Sequence, residues 1–117
     1  MTQIERRRSN RTAVDFFVEE RRADRSWLHP ATSLSTDGLY VLVDDDRIAI
    51  DPSAVLDVEF TLPSGTLVTT RARIAYTDDR YGQRGVGLQF VDLDAAQRDA
   101  IEAYILASIH TRQRRIA

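Results

Sequence analysis

Two short segments of the sequence carry the side chains best suited to chemistry. In the first segment, Arg7 and Arg11 stand four residues apart, and Arg8 follows Arg7 directly. The guanidinium of arginine is a planar fork of N–H donors that fits phosphate oxygens, fits the O6 and N7 acceptors of guanine, and stacks on a purine face. The same spacing is common in unrelated proteins, so by itself it indicates anion-binding groups without establishing a site.

The second segment runs from Ser33 to Gly38. Ser33 and Ser35 stand two residues apart, so on one strand their hydroxyls share a face and are able to donate to a ligand or accept from it. Gly38 allows another backbone or a ligand to approach without a clash with a Cβ atom. The serines also suit a plain turn around Asp37-Gly38, so a binding interpretation and a turn-forming interpretation both stand.

The rest of the chain offers no catalytic arrangement. Cysteine is absent, and the two histidines, His29 and His110, are too far apart in the sequence to form a spaced motif. The run Asp44-Asp45-Asp46 lacks the other ligands of a calcium loop and predicts a solvated loop. Gly85-Val86-Gly87 opens a strand and not a helix, so it is not a dinucleotide-binding loop. We therefore predict a protein that is not an enzyme and has no catalytic residue, metal site or cofactor.

Length and composition indicate one globular domain. The chain has 117 residues, of which 43% are hydrophobic and 29% are charged, so it is able to bury its own core. The net charge of −2 makes nucleic acid an improbable partner, since such proteins usually carry an excess of basic residues. No apolar run is long enough to insert into a membrane, and residues 1–11 lack the apolar stretch of a signal peptide. The expected location is cytoplasmic.

Alternating apolar residues predict about six antiparallel strands between Thr12 and Val91. Val14, Phe16 and Val18 share one face of the first strand, and the second strand is expected to break near His29-Pro30 because proline lacks an N–H donor. In the fifth strand the alternation places Tyr76 on the same face as Ile74. The turns of the predicted sheet lie at Asp37-Gly38, Pro63-Ser64-Gly65 and 78–82.

The hydrophobic period changes after Leu93. Asp94 and Gln97 are spaced as in a capping box, and Ile101, Ile105 and Ile109 continue an apolar stripe at helical spacing. We predict an all-β fold with one C-terminal helix: a small six-stranded antiparallel β-barrel capped by an amphipathic helix over about 94–110. The barrel domain spans 12–117 and follows a flexible, arginine-rich arm at 1–11.

The order and placement of these segments resemble the PilZ domain family, the bacterial receptor module for the second messenger cyclic di-GMP. The resemblance covers the chain from about Ile4 to Ile109. In this family an R-x-x-x-R switch loop precedes the barrel, a D/N-x-S-x-x-G motif follows the second strand, and a glycine-rich last strand precedes a helix. Arg7 and Arg11 match the first motif, and Ser35 and Gly38 match the second. Ser33 stands where the family has aspartate or asparagine.

The resemblance implies a stand-alone module that binds cyclic di-GMP and performs no catalysis. The implied ligand-binding residues are Arg7, Arg8, Arg11, Ser33, Ser35 and Gly38, with Arg8 contacting the second nucleotide of a stacked ligand dimer. Ligand is expected to order the arm and so signal to an unidentified protein effector.

Two other interpretations remain open. The first is a PilZ-fold interaction adaptor that does not bind cyclic di-GMP, because its second motif is degenerate at Ser33. The second is a small RNA- or DNA-binding barrel that uses the arginines at 6–11 and 112–115, against which the net acidity argues.

Overall fold

The computed structural model describes residues 11–43, 53–80 and 82–116, and it describes side chains up to Thr111 except that of Arg80. Arg7 and Arg8 lie outside the described residues, as does the acidic run Asp44-Asp45-Asp46. Six strands and one helix follow one another along the chain. They are β1 Thr12–Arg22, β2 Arg25–Leu34, β3 Gly38–Val43, β4 Val55–Thr61, β5 Leu67–Arg80, β6 Gln83–Phe90 and α1 Ala95–Ile116.

The strands form a closed barrel in the order β1-β2-β3-β6-β5-β4, and every neighbouring pair is antiparallel. The predicted fold class, a six-stranded antiparallel barrel with one C-terminal helix, is therefore confirmed. Alternate residues of each strand point into the barrel, where they build a single apolar core. Within that core the rings of Phe16, Phe60 and Phe90 stack in series, with centroids 5.4 Å and 6.1 Å apart.

The helix α1 packs on the barrel through its apolar stripe. Ile101 and Ile105 are buried, while Leu106 is 46% exposed on the outer side. Asp94 caps the helix, because its Oδ1 accepts the backbone N–H of Gln97 at 2.8 Å. The Gln97 side chain does not complete a capping box; its Oε1 accepts the N–H of Thr69 at 2.6 Å and ties the helix to β5. The helix continues beyond the predicted end at 110, to Ile116.

Strand β2 is continuous through Pro30, where a break was predicted. The missing N–H of Pro30 limits the hydrogen bonding between β2 and β3 instead. Pairing of these two strands runs from Leu34 only as far as Ala31, the residue next to Pro30. The loop of the hairpin predicted over 78–82 is also shorter than expected. Asp78 and Asp79 still pair with Gly85 and Arg84, so both acidic residues belong to β5.

The prediction that Tyr76 shares a face with Ile74 is wrong. Ile74 pairs with Leu88 of β6, and Tyr76 pairs with Gly87, the residue directly before Leu88. Two steps along β5 thus correspond to one step along β6. Ala75 is therefore an extra residue, a β-bulge that reverses the alternation. Ile74 packs against the core, whereas Tyr76 is 51% exposed.

Candidate functional site at the end of the second strand

Arg11 and the second motif meet because β1 and β2 form an antiparallel pair. Thr12 lies opposite Leu34, so Arg11 and Ser35 lie at the same end of the two strands. The Arg11 Nε donates to Ser33 Oγ at 2.9 Å, and Nη1 donates to Ser35 Oγ at 3.4 Å. The structure thus brings together three residues that the sequence assigns to the site, although Arg11 is more than twenty positions away from the two serines.

Ser35 holds the turn that follows β2. Its side chain is fully buried, and Oγ accepts the backbone N–H of Asp37 at 3.0 Å and that of Gly38 at 3.2 Å. The backbone N–H of Ser35 donates to the Gly38 carbonyl at 2.9 Å. The Ser35 hydroxyl therefore stabilises the turn, as the turn-forming interpretation of the sequence expected. It also lies within reach of Arg11, so the turn and the arginine share one polar centre.

Gly38 is required by a close approach of two strands. It pairs with Gln89 of β6, and a Cβ atom at this position would lie 1.8 Å from the carbonyl oxygen of Leu88. The Phe90 N–H donates to the Asp37 carbonyl at 2.8 Å and continues the same contact into the turn. Gly38 thus holds the turn against β6, and its predicted role in ligand binding stays a prediction.

Beside this turn lies a cleft of about 260 Å³. Arg11, Asp37 and Gly38 line it, together with residues of β5 and β6 that include Tyr76 and Gln89. Ligand pockets in proteins commonly enclose about 300–1,000 Å³, so this cleft lies just below that range. It combines a cation, backbone groups of a glycine turn and an aromatic ring, a set suited to a planar anionic ligand.

Two residues at the site were missed by sequence reasoning. Tyr76 was assigned to the interior because the bulge at Ala75 is not visible in the alternation. Arg98 of α1 contacts the turn and donates from Nη1 to the Thr36 carbonyl at 3.4 Å. Its position depends on how the helix docks, which the helical stripe does not specify. Gln89, which the sequence left undecided between ligand contact and simple exposure, does line the cleft.

His29 lies apart from this cleft, inside the barrel. It is 5% exposed, and its Nε2 is 2.8 Å from Oε1 of Glu20, itself 2% exposed. The other Glu20 oxygen faces Arg22 Nε at 2.9 Å, outside hydrogen-bond alignment, and the Arg22 guanidinium lies 4.5 Å from the centroid of the Trp27 ring. These contacts make His29 a structural residue. Among the described residues, no three histidine, aspartate or glutamate side chains cluster as a metal site would need.

A larger cleft of about 450 Å³ opens beside the first half of β2. Its lining is mixed: Trp27, Leu28, Pro30 and Leu42 are apolar, and Ser26, His29 and Gln83 are polar. None of the predicted site residues that the structure describes lines it. Its size alone does not make it the better candidate, because it lacks the arginine and the glycine turn.

Comparison with known proteins decides the family. The family model of the PilZ domain matches residues 5–107. The chain belongs to the PilZ domain family. No curated protein matches the sequence. Among the described residues of this PilZ domain, no helix has the length and apolar character needed to cross a membrane.

Solved structures show the same PilZ fold at low identity. The PilZ domain of YcgR from Escherichia coli with c-di-GMP has a TM-score of 0.75 at 16% identity, over 93% of this chain and 96% of that one. The inhibitor of motility MotI/DgrA from Bacillus subtilis has a TM-score of 0.81 at 16% identity, and the match covers 90% of this chain and 52% of that one. The MrkH–c-di-GMP complex from K. pneumonia has a TM-score of 0.77 at 16% identity, and the match covers 93% of this chain and 55% of that one. The chain thus spans about half the length of the last two proteins.

Proposed function

We propose that this PilZ domain binds cyclic di-GMP in the cleft beside Arg11 and acts as a binding module without catalysis. The observation that carries the proposal is the convergence of Arg11, Ser33 and Ser35 through hydrogen bonds of 2.9 Å and 3.4 Å. Two motifs far apart in the sequence thereby form one polar centre. The c-di-GMP complexes of YcgR and MrkH, which share the fold, support the choice of ligand.

In this proposal each motif residue has a distinct task. Arg11 presents a guanidinium fork to a phosphate or to a guanine edge. Ser33, which is only partly buried, offers a hydroxyl to the guanine, and Ser35 with Gly38 holds the turn against β6. Arg7 and Arg8 lie outside the described residues and complete the proposed site. Arg7 is proposed to bind a phosphate of the ligand, and Arg8 is proposed to contact the second nucleotide of a stacked ligand dimer.

The proposed output is a change of surface. Ligand bound at Arg11 contacts the chain directly where the 1–11 arm meets β1, so it favours an ordered arm over other states. A ligand shifts such an equilibrium only by its difference in affinity for the two states. The ordered arm and the ligand together then form the surface that a protein effector recognises.

Calorimetric titration with cyclic di-GMP tests the proposal, with GMP and cyclic di-AMP as controls. We expect saturable heat with cyclic di-GMP and much weaker binding of both controls, because two phosphates and two guanines must be contacted at once. Absence of heat with cyclic di-GMP would contradict the proposed function.

One observation favours a second candidate, an adaptor of the same fold that does not bind the nucleotide. Ser33 supplies a single neutral oxygen where the family has an acid or amide, and that oxygen already accepts from Arg11 Nε. In this alternative Arg11 and Ser33 serve only to join β1 to β2. The same titration separates the two candidates, because the adaptor gives no heat with any nucleotide.

A further inference from the structure

Strands β2 and β3 separate at one end of the barrel. They pair only between Ala31 and Leu34, so residues 25–30 of β2 pair with β1 alone. Among the described residues, no other segment forms backbone hydrogen bonds with this part of β2. The cleft of about 450 Å³ lies at this separation, because residues 26–30 line it together with Leu42 of β3. One edge of β2 is therefore open toward this cleft.

The geometry of the β1–β2 hairpin shows which backbone groups face the open edge. Arg25 directly follows a two-residue turn and pairs back with the last residue of β1. Such a closing pair exchanges hydrogen bonds, and hydrogen-bonded pairs then alternate along an antiparallel ladder. Trp27 and His29 thus direct their N–H and C=O groups toward β1. Ser26 and Leu28 direct theirs away from β1, into the separation.

Pro30 has the same orientation as Leu28, which explains why the β2–β3 ladder stops beside it. Its nitrogen carries no hydrogen and is unable to donate across to β3. The remaining edge offers the N–H and C=O groups of Ser26 and Leu28 and the carbonyl of Pro30. At about 3.3 Å per residue, the stretch from Ser26 to Pro30 presents roughly 13 Å of strand, enough for a short added strand.

The outer face beside this edge is apolar. Leu28 is 66% exposed, and Phe17, which lies opposite Pro30 on β1, is 60% exposed. Leu42 lines the other side of the separation. An unpaired edge next to apolar side chains suits an added strand, because the backbone supplies hydrogen bonds and alternate side chains of the newcomer pack on the apolar face.

A cation stands at the end of the open edge. Arg25 directly precedes Ser26 and is exposed. Asp24 is its neighbour in the turn, yet Arg25 forms no ion pair within the part of the chain that the structure describes. An acidic residue at the end of an added strand would complement this charge.

We propose that the open edge of β2 is a docking site for an extended segment of a protein partner, which adds as a strand beside Ser26 and Leu28. The segment has apolar side chains at alternate positions and an acidic residue that meets Arg25. This site shares no lining residue with the cleft beside Arg11, and it does not depend on the proposed nucleotide binding.

Amide hydrogen exchange in the parent protein tests the open edge first. The amides of Ser26 and Leu28 should exchange fast, and those of Trp27 and His29 should exchange slowly, because only the second pair donates to β1. Slow exchange at all four positions would mean that another part of the chain already covers the edge, and it would overturn the proposal.

The second measurement adds a synthetic peptide of alternating valine and threonine with a glutamate at each end. The exchange of Ser26 and Leu28 should slow about tenfold when about nine-tenths of the protein is bound. The control peptide has the same side chains but methyl groups on alternate backbone nitrogens, so it lacks the N–H donors of a strand and should give no protection. Equal protection by both peptides, or protection by neither, would overturn strand addition and leave the proposed nucleotide binding untouched.

The charge of the partner is tested by two matched variants. Arg25→Ala should raise the Kd of the peptide about two- to fivefold, the usual worth of one exposed ion pair. Arg73→Ala is the control, because Arg73 is also an exposed arginine, on β5, and its removal should leave the Kd unchanged. Equal Kd values for Arg25→Ala and the parent would overturn the assignment of an acidic residue to the partner.

Discussion

The guanidinium of Arg11 donates from Nε to the hydroxyl of Ser33 at 2.9 Å and from Nη1 to that of Ser35 at 3.4 Å. The contact joins the residue that precedes β1 to the residues that end β2. Because Ser35 also accepts two backbone N–H groups of its own turn, the orientation of Arg11 is coupled to the conformation of that turn. A cation that lines the cleft is thereby held in place without a bound ligand.

Replacing Arg11 with alanine should weaken cyclic di-GMP binding without unfolding the barrel. Hydrogen bonds to charged groups contribute about 1.5–3 kcal/mol, so the Kd should rise about tenfold or more. Arg11 is exposed, so the free energy of unfolding should change by less than about 0.5 kcal/mol. Calorimetric titration and thermal unfolding measure both effects. Arg25→Ala, at an exposed position where β2 begins, is the control, and equal loss of affinity in both variants would refute a specific site.

Replacing Ser33 with aspartate should tighten cyclic di-GMP binding about fivefold. A carboxylate accepts both N–H groups of a guanine edge and still faces Arg11 Nε, whereas the Ser33 hydroxyl has a single neutral oxygen. Arg11 also offsets repulsion between the new carboxylate and the ligand phosphates. Titration at matched salt compares this variant with Ser33→Asn, which adds the acceptor without the charge. Unchanged or weaker binding in both variants would mean that Ser33 does not face the guanine.

Replacing Gly38 with alanine should destabilise the barrel. The added Cβ atom would meet the backbone carbonyl of Leu88 at 1.8 Å, and backbone cannot move aside as a flexible side chain does. Overpacking of this kind costs about 1–3 kcal/mol, which thermal or urea unfolding detects. Gly65→Ala provides a comparison, because nothing lies within 4 Å of its Cβ position and only its positive φ of 104° opposes the change. An unchanged unfolding midpoint for Gly38→Ala would contradict the close approach of β3 and β6.

The helix α1 should be integral to the domain. Ile101 is fully buried and Ile105 is 2% exposed, so truncation of either to alanine should lower the free energy of unfolding by about 2–5 kcal/mol. Leu106→Ala is the matched control on the same helix, since Leu106 is 46% exposed and should lose much less. Urea unfolding of the three variants gives the comparison. Similar losses at Ile101 and Leu106 would show that the helix does not pack through its predicted stripe.

The strands and the helix could be predicted from sequence because each hides one face and repeats with its own period. The meeting of Arg11 with Ser33 and Ser35 follows from one further step, the antiparallel pairing of β1 with β2. Tyr76 could not be predicted, because a single extra residue at Ala75 reverses the alternation and only the pairing with β6 reveals it. The tyrosines opposite Gly87 are the signal that was available, since an aromatic ring often covers a glycine on a neighbouring strand.

Contacts between side chains that only the packing of separate elements brings together could not be predicted from the sequence either. The contact of Arg98 with the Thr36 carbonyl depends on the angle at which α1 lies on the barrel, which its apolar stripe leaves open. The pairing of His29 with Glu20 depends on burying a carboxylate beside an imidazole, against the usual preference of glutamate for the surface. Both contacts are products of tertiary structure and not of local pattern.

The most direct test of the account is a map of backbone amide shifts during titration of the ¹⁵N-labelled protein with cyclic di-GMP. The account predicts that the largest shifts fall at Arg11, at the turn 35–38 and at Gly87 to Gln89, and that they saturate together. Residues beside the larger cleft, 26–30, should move little. Absence of shifts at saturating nucleotide, or shifts concentrated at 26–30, would contradict the claim that the cleft beside Arg11 binds the ligand.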